Sequence, residues 1–322
     1  MMERYQTREE WMEARRSARA IGASDVPVLI EGAHFGRSEW DIFAALTAEE
    51  PPPISESEAM RIGTAVEPIV ARWACNRLGV PYDPRPCAVQ AGALRVSPDV
   101  LHIGEDVQPV LIEVKTTAPY RMGEWATDGT IMAGGLEQPG QVYPCPAGYL
   151  WQLLAQAAAV REEVGVMPRC FFAVAAVERA VMGLAVDGLD FPVAVTDLRL
   201  IEIEPDPFDL ERLLGVVTRW HRRHVVHRVP PTIDASGACR SWLLRGRLPR
   251  TEVLDAGTEL DGRITAALDA RAAAVEAARA QQLAEAQVLA IIPSTVKTAR
   301  GTAGKVTIAS NGRVTWTAAK GV

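Results

Sequence analysis

The segment LIEVKTTAPY (residues 111–120) places Glu113 and Lys115 two positions apart, directly after an apolar run. Lys115 is one of only four lysines in a chain with 34 basic residues. Side chains two apart on a strand leave the same face of a sheet, so the carboxylate and the ammonium share one environment. The flanking apolar residues predict burial, and buried charges are usually paired and often functional.

A third charged residue, Asp99, closes the strand-like segment RVSPD. If RVSPD is the strand adjacent to LIEVK, Asp99 and Glu113 converge on one cation, and Mg²⁺ prefers such carboxylates together with water and phosphate. The metal would activate a bound water and offset charge on a phosphoryl group. Lys115 would hold or help to deprotonate the attacking water, with a pKa that burial can lower.

Each candidate residue also has an ordinary structural interpretation. With 40 acidic residues in the chain, a Glu-x-Lys triplet also arises by chance and forms a simple ion pair. Glu67 lies three residues after Thr64, which is the spacing of a helix capping box. Ser24 has the position of a helix N-cap, a role compatible with phosphate binding. Gln152 and Gln156 lie four apart, as in a solvated helix stripe.

The segment RWHRRHVVHR (residues 219–228) carries three histidines and four arginines on one predicted helix. His221 and His224 have a spacing that allows metal binding. A solvated basic face explains the segment equally simply, and such a face would contact DNA phosphates without reading sequence.

Composition predicts a soluble globular protein of one or two domains. The 322 residues are 48% hydrophobic and carry a net charge of −6, which argues against bulk attraction to nucleic acid. The five cysteines are scattered, so neither a disulfide framework nor a zinc ribbon is indicated. No apolar run approaches about 18 residues and the polar start is unlike a signal peptide, so we expect no membrane partner and a cytoplasmic location.

The order of the predicted elements indicates an α/β fold. Helices are predicted over EAMRIGTAVEPIVARWACNRLG, closed by Gly79, over AGYLWQLLAQAAAVREEVG, and after a cap at Asp206 or Asp209. ALRVSPD and PVLIEVKTT predict two strands, and CFFAVAAVERAVMGLAV with LRLIEIEP predict three more. Residues 119–148 are predicted as a long loop. This alternation implies a central mixed β-sheet flanked by helices.

Near residue 250 the sequence changes from alternating helix and strand patterns to an alanine-rich segment, which predicts two domains, 1–250 and 251–322. The second begins with a long alanine-rich helix, and GKVTIASNGRVTWTA predicts a hairpin around Asn311-Gly312, so it forms a helix and β-hairpin arm. The helix carries an apolar stripe that would dock on the core, on another subunit or on a protein partner; it comprises Leu260, Ile264, Leu268 and Val275.

Five short motifs carry a resemblance to a known family; in order they are WMEARR…IGASD, MRIGTAVEP, SPD, IEVKT and YLWQLLAQ. Together with VVHRVPPTIDAS, they resemble the YqaJ-type viral recombinases, relatives of phage lambda exonuclease in the PD-(D/E)xK nuclease superfamily. The similarity runs from about Trp11 to about Ser236. It implies a restriction-endonuclease-like core within the first domain.

The resemblance implies a 5′-to-3′ exonuclease that acts on double-stranded DNA ends with Mg²⁺, or with Mn²⁺ in its place. It also implies a single-strand annealing protein as partner in phage or prophage recombination, and a homo-oligomeric ring of three. By position, it assigns metal ligation to Asp99, Glu113, Glu67 and the Val114 carbonyl, catalysis to Lys115 with Gln152, and the terminal 5′ phosphate to Ser24 with Arg15 or Arg19.

This sequence departs from the family pattern between Trp11 and Ser24, where about two extra residues leave Arg15, Arg16 and Arg19 as alternative phosphate ligands. Other functions stay open. One is an endonuclease of the same superfamily, and another is a non-catalytic module that binds DNA ends. A third is a structural phage protein in which the Glu-x-Lys pair is an ordinary salt bridge.

Overall fold

The computed structural model describes residues 2–34, 36–48, 57–104, 107–134, 145–187, 189–244, 257–293, 295–309 and 313–318. The chain divides into two compact units, Met1–Gly246 and Arg247–Val322, which we call the N-terminal and C-terminal units. The predicted domain boundary at residue 250 lies outside the described residues.

The helices of the N-terminal unit are α1 (Arg8–Ala18), α2 (Val26–Glu31), α3 (Glu39–Thr47), α4 (Glu58–Leu78), α5 (Ala147–Val164), α6 (Pro207–Trp220) and α7 (Gly237–Leu244). Its strands are β1 (Met2–Arg4), β2 (Ile21–Gly22), β3 (Ala33–His34), β4 (Arg37–Ser38), β5 (Cys87–Ala91), β6 (Leu94–Val96), β7 (Val100–His102), β8 (Val110–Thr117), β9 (Ile131–Gly134), β10 (Arg169–Leu184) and β11 (Val193–Pro205). The C-terminal unit contains α8 (Thr258–Ile291), β12 (Thr298–Gly301), β13 (Gly304–Ile308) and β14 (Val314–Ala318).

The central sheet has the strand order β7-β8-β10-β11-β9 and is mixed. β8 runs parallel to β10, and β11 runs parallel to β9, whereas the β7–β8 and β10–β11 pairs are antiparallel. A second sheet, of order β1-β5-β6-β2, lies in the same unit.

Successive side chains of β8 and β10 point to opposite faces of the sheet and contribute to two separate hydrophobic cores. Leu111 and Phe172 pack with the buried face of α5, whereas Ile112 and Phe171 pack with Val66 and its neighbours on α4. A strand covered on both faces needs apolar residues at successive positions, which explains the unbroken run PVLI before Glu113. The predicted α/β class, a mixed sheet between helices, is confirmed.

Helix α4 begins earlier than the capping-box hypothesis requires. Its N-cap is Ser57, whose side chain accepts a hydrogen bond from the Met60 amide, so Thr64 and Glu67 lie inside the helix. The hypothesis that Glu67 completes a capping box with Thr64 is therefore wrong. The helix ends, as predicted, at Gly79, whose φ of +69° is the left-handed conformation that glycine adopts most easily.

The strand predictions need two corrections. RVSPD contributes β6 to the second sheet, and the neighbour of β8 is β7, which starts directly after Asp99. The run after residue 168 forms two long strands, β10 and β11, rather than three.

The loop predicted over residues 119–148 holds a 3₁₀ turn at Pro119–Glu124 and the edge strand β9, while residues 135–144 lie outside the described part of the chain. Ser24 also departs from its predicted role. It lies within a 3₁₀ turn, Ala23–Asp25, and is not the N-cap of α2.

In the C-terminal unit, α8 is a 34-residue helix without a buried residue, and the predicted apolar stripe is exposed. β13 pairs antiparallel with β14, whereas the Asn311-Gly312 turn predicted between them lies outside the described residues. The sequence did not predict the third strand, β12, which pairs with β13. Among the described residues, no helix is long and apolar enough to cross a membrane.

Candidate active site

The unequal lengths of β7 and β8 position Asp99. The first residue of β7, Val100, pairs with Ile112, so the rest of β8 extends beyond its neighbour. The Val114 amide therefore has no strand partner on that edge, and it donates to Oδ2 of Asp99 at 2.7 Å. An unpaired amide inside a protein is costly, so Asp99 closes the strand edge and is held beside Glu113.

Glu113 is the most enclosed acid of the site, with 3% of its side chain exposed. Its Oε1 accepts from Lys115 Nζ and from Nε2 of Gln152, and its Oε2 accepts from Nε2 of Gln156 at 2.6 Å. Both glutamines come from α5, which covers this face of the sheet. The hypothesis of a solvated stripe is wrong for Gln156, which is 1% exposed.

Lys115 lies between the carboxylate of Glu113 and an aromatic wall. Its Nζ is 5.0 Å from the ring centroid of Tyr149, which in turn stacks on Trp125 with centroids 5.6 Å apart. Burial lowers the pKa of Lys115, but the carboxylates of Glu113 and Asp99 raise it, and the net shift is upward. The ammonium form is therefore favoured, contrary to the expectation that burial lowers this pKa.

The pKa values of Glu67 and Asp99 are raised by their positions in this cluster. Burial, followed by repulsion from Glu113, raises the pKa of Glu67. The same two causes, with Glu67 as a further source of repulsion, raise the pKa of Asp99 well above its ordinary value. Three acids thus share one region with a single lysine, and a divalent cation would offset the surplus negative charge.

The donor chemistry of these acids fits a hard cation such as Mg²⁺, which takes carboxylate oxygens. In the present arrangement, however, no group of three His, Cys, Asp or Glu side chains among the described residues is placed to hold one ion. Lys115 and two amides already bond to Glu113, and a backbone amide bonds to Asp99. Ligation by Val114 through its carbonyl stays a prediction.

A pocket of about 550 Å³ joins the acids to a set of arginines. Glu67, Asp99 and Glu113 line it, and so do Arg8, Arg15, Arg72, Arg85 and Arg95. Arg95 and Arg85 pair with acids, whereas no carboxylate among the described residues pairs with Arg8, Arg15 or Arg72. Arg8 is close enough to Glu67 to lower its pKa, against the upward net shift. A pocket lined by both acids and guanidinium groups suits a ligand that carries phosphate together with a cation.

The pocket distinguishes between the arginines proposed for phosphate binding. Arg15 lines it and stacks over Trp11, whose Nε1 donates to Ser97 Oγ at 2.8 Å. A methyl group added at Gly22 would lie 3.3 Å from Asp25 Oδ2, 3.6 Å from Arg15 Nη2 and 3.9 Å from Ser24 Oγ. Arg15 and Ser24 therefore lie on the same side of Gly22, beside the Asp25 carboxylate, which is paired with Arg37.

Arg19 does not line this pocket; it follows α1 in the left-handed conformation, with φ of +44°. Its carbonyl lies 3.3 Å from His221 Nε2, in the segment RWHRRHVVHR. That segment is α-helical to Trp220 and π-helical at His221–Val226. His224 is buried, packs against Trp220 with the two rings tilted by 39°, and bonds to the Val229 carbonyl, so the solvated basic face includes only part of the segment.

Sequence reasoning missed three residues of the site. Gln156 was visible four residues after Gln152, but its burial was not. Arg72 follows Glu67 by five residues on α4, and only the helix geometry turns both toward one pocket. Arg8 stands at the start of α1 and had no local signal.

Comparisons with known proteins found distant structural similarity. No protein-family model matches the chain, and no curated protein is significantly similar to it. The alkaline exonuclease LHK-Exo of Laribacter hongkongensis, alone and in complex with dAMP, has 18% identity and a TM-score of 0.39 over 66% of this chain and 90% of that one. A candidate exonuclease from Eubacterium rectale has 13% identity and a TM-score of 0.43 over 78% of this chain and 96% of that one. All three TM-scores are below 0.5, so these similarities do not establish a function, which we infer from the residues of this chain.

Proposed function

We propose that this protein is a metal-dependent exonuclease that degrades one strand from double-stranded DNA ends in the 5′-to-3′ direction. The observation that carries the proposal is the cluster of Asp99, Glu113 and Lys115 around strand β8, whose two acids line the same pocket as Arg8, Arg15 and Arg72. Acids and a lysine suit hydrolysis of a phosphodiester, and the arginines suit the phosphate that marks an end.

In this proposal, Asp99, Glu113 and Glu67 would hold Mg²⁺ or Mn²⁺, which supplies Lewis-acid activation of water and neutralisation of phosphoryl charge. Lys115, favoured as the ammonium, orients the attacking water by donating a hydrogen bond and stabilises negative charge at the reacting phosphate. Gln152 and Gln156 hold Glu113 in one rotamer. Burial of the cluster strengthens each of these electrostatic interactions.

The 5′ phosphate would bind where Arg15 and Ser24 converge beside Gly22. Arg15 is exposed, and its guanidinium lies 5.5 Å from the Trp11 ring centroid, a cation–π contact that would favour one orientation of the side chain when it binds an anion. Arg8 and Arg72 line the same pocket and would contact the next phosphate along the strand. The single strand that remains would pass to a single-strand annealing protein in phage-type recombination. The protein would act in the cytoplasm. It would work as a homo-oligomer.

Digestion of a linear duplex in Mg²⁺ tests the catalytic assignment. Lys115→Ala and Asp99→Ala are each expected to lower the rate by about 10²-fold or more, because both take part in the chemical step. Binding of the same duplex in Ca²⁺ is expected to persist. Digestion at the parental rate by either variant would show that the assignment is wrong.

Duplexes labelled at either terminus, with and without a 5′ phosphate, test the polarity. We expect release of label from the 5′ terminus first, faster when that terminus is phosphorylated. Arg15→Gln should remove the advantage of the phosphate, whereas Arg19→Gln, outside the pocket, should retain it. Loss of label from the 3′ terminus first would contradict the proposed direction.

One observation favours a second candidate, a DNA-end-binding module without catalysis. The acids of the described chain are not placed to hold one ion, and Glu113 is already bonded to Lys115 and two amides. This candidate predicts end binding without turnover in Mg²⁺ or Mn²⁺. A closed circular duplex tests the endonuclease alternative, because nicking by the pure protein would indicate an endonuclease.

A further inference from the structure

The charge of the chain is distributed very unequally. Residues 286–322 contain five basic residues and no Asp or Glu, although the whole chain has a net charge of −6. Three of the four lysines lie in this stretch. Such a basic segment at the end of an acidic chain is typical of contact with a polyanion.

The strand register of the C-terminal unit sorts this segment into rows. Arg300 lies directly opposite Lys305, and Lys305 lies directly opposite Thr317. Two residues away, on the same face, Thr298, Thr307 and Thr315 form a second row. This face, which we call the Arg-Thr face, therefore presents only cations and hydroxyl groups.

The position of the two cations has an energetic cost. Like charges directly opposite one another in an antiparallel pair destabilise the sheet. Neither Arg300 nor Lys305 has an ion-pair partner among the acids that the structure describes, and both side chains are exposed. An anion bound across the pair would remove the repulsion.

The opposite face of the same sheet helps to identify the anion. Ala299, Val306 and Trp316 form its central row, so the apolar side chains point away from the cations. A peptide or sheet that binds a membrane surface needs apolar side chains beside its basic ones, to enter the headgroup layer. The Arg-Thr face lacks them. Arginine, lysine and threonine side chains are instead the groups with which proteins contact the phosphates of DNA.

We propose that the Arg-Thr face of the C-terminal unit binds the phosphate backbone of DNA, as a second contact surface that is separate from the pocket of the N-terminal unit. The choice of DNA as the nucleic acid rests on the proposed function, but binding at this face needs neither metal nor hydrolysis. It holds the polymer without reading its sequence.

The test measures binding of a fluorescent 30-base-pair duplex, and of the matching single strand, to the full chain in EDTA at several NaCl concentrations. Arg300→Gln with Lys305→Gln removes two contacts, so the slope of log affinity against log salt should fall by about 1.8 for the duplex. Affinity near physiological salt should fall several-fold. Arg161→Gln with Arg169→Gln, which removes two arginines from the N-terminal unit, is the matched control and should bind like the parent.

Two further variants separate charge from damage to the sheet. Arg300→Lys with Lys305→Arg retains both charges and should retain the parental salt slope. Lys305→Glu creates an ion pair with Arg300, so the β12 and β13 amides should exchange hydrogen more slowly while DNA affinity falls. A change that merely unfolds the sheet cannot give both results.

The outcomes are distinct from those of the nuclease proposal, because binding in EDTA does not require turnover. Equal slopes for the double Gln variant and the control would overturn the inference. So would binding to anionic phospholipid vesicles, or to polyglutamate, that falls in the double Gln variant while DNA binding does not. Loss of hydrolysis in every variant and in the parent would overturn only the nuclease proposal.

Discussion

Two lysines of this chain lie on β-strands in opposite electrostatic settings. Lys115 is enclosed, its partner Glu113 is 3% exposed, and two further acids, Asp99 and Glu67, act on the same cluster. Lys305 is exposed and lies opposite another cation, without a carboxylate partner in the described chain. Acidic side chains outnumber basic ones in the first region, whereas the charged side chains of the Arg-Thr face are basic. The ligands proposed above are accordingly a divalent cation for the core cluster and a polyanion for the Arg-Thr face.

Removal of the two lysine charges gives the largest contrast. Lys115→Met leaves three acids without their cation, and breaking a buried pair costs about 3–5 kcal/mol, so the free energy of unfolding should fall by that amount. Lys305→Met should change it by about 0.5 kcal/mol or less, because the side chain is exposed and unpaired. Urea unfolding of both variants checks the difference. Equal stability losses would show that the core cluster is no more dependent on its cation than the exposed face.

Gln156 offers a smaller and more specific effect. Gln156→Leu keeps the volume but removes the amide that donates to Oε2 of Glu113. The proposed function makes Glu113 a metal ligand, and loss of a group that orients such a ligand typically costs 10- to 100-fold, so the turnover number and the affinity for Ca²⁺ should both fall by about that factor. Gln108→Leu, at an exposed amide that donates to the Met167 carbonyl, is the control and should leave both unchanged. A fall in turnover with unchanged Ca²⁺ affinity would contradict the role of Gln156 in positioning Glu113.

Asp99→Asn should give the smallest effect, and its sign is opposite to that of most site mutations. Burial and the neighbouring carboxylates raise the folded-state pKa of Asp99 above its unfolded value, so the native state binds the proton more tightly. Its contribution to stability is therefore full at pH below the unfolded pKa and is lost as the pH rises toward the folded pKa. The Asp99→Asn variant should have a higher melting temperature than the parent at pH 7–8, by roughly 2–4 °C for each kcal/mol of electrostatic repulsion that the substitution removes. The difference should shrink on acidification, and a variant that melts lower at every pH would refute the explanation.

Local signals predicted several parts of the fold correctly. Gly79 ended α4, Asp206 capped α6 with a hydrogen bond from the Phe208 amide, and the apolar run before Glu113 formed a central strand. Each of these features depends on residues within a few positions of one another. Short-range chemistry therefore fixed them before any tertiary contact was known.

The failures share the opposite property. The sequence suggested the wrong neighbour for β8, because nothing local shows that RVSPD turns into the second sheet and that β7 follows Asp99. Strand β12, TARG, has no alternating pattern and is stabilised by its register with β13. The capping-box prediction at Thr64 was wrong because the helix begins after Ser57, seven residues earlier, where the serine side chain is the N-cap.

The hydrogen bond between Asp99 and the Val114 amide has a practical consequence. A ligand that draws electron density from the Asp99 carboxylate weakens its hydrogen bond with the Val114 amide proton, which lies where β8 extends beyond β7. The chemical shift and solvent protection of this amide proton therefore report whether the carboxylate has bound a ligand. Titration with any divalent salt, followed at this one resonance, would reveal occupancy without DNA, turnover or a label.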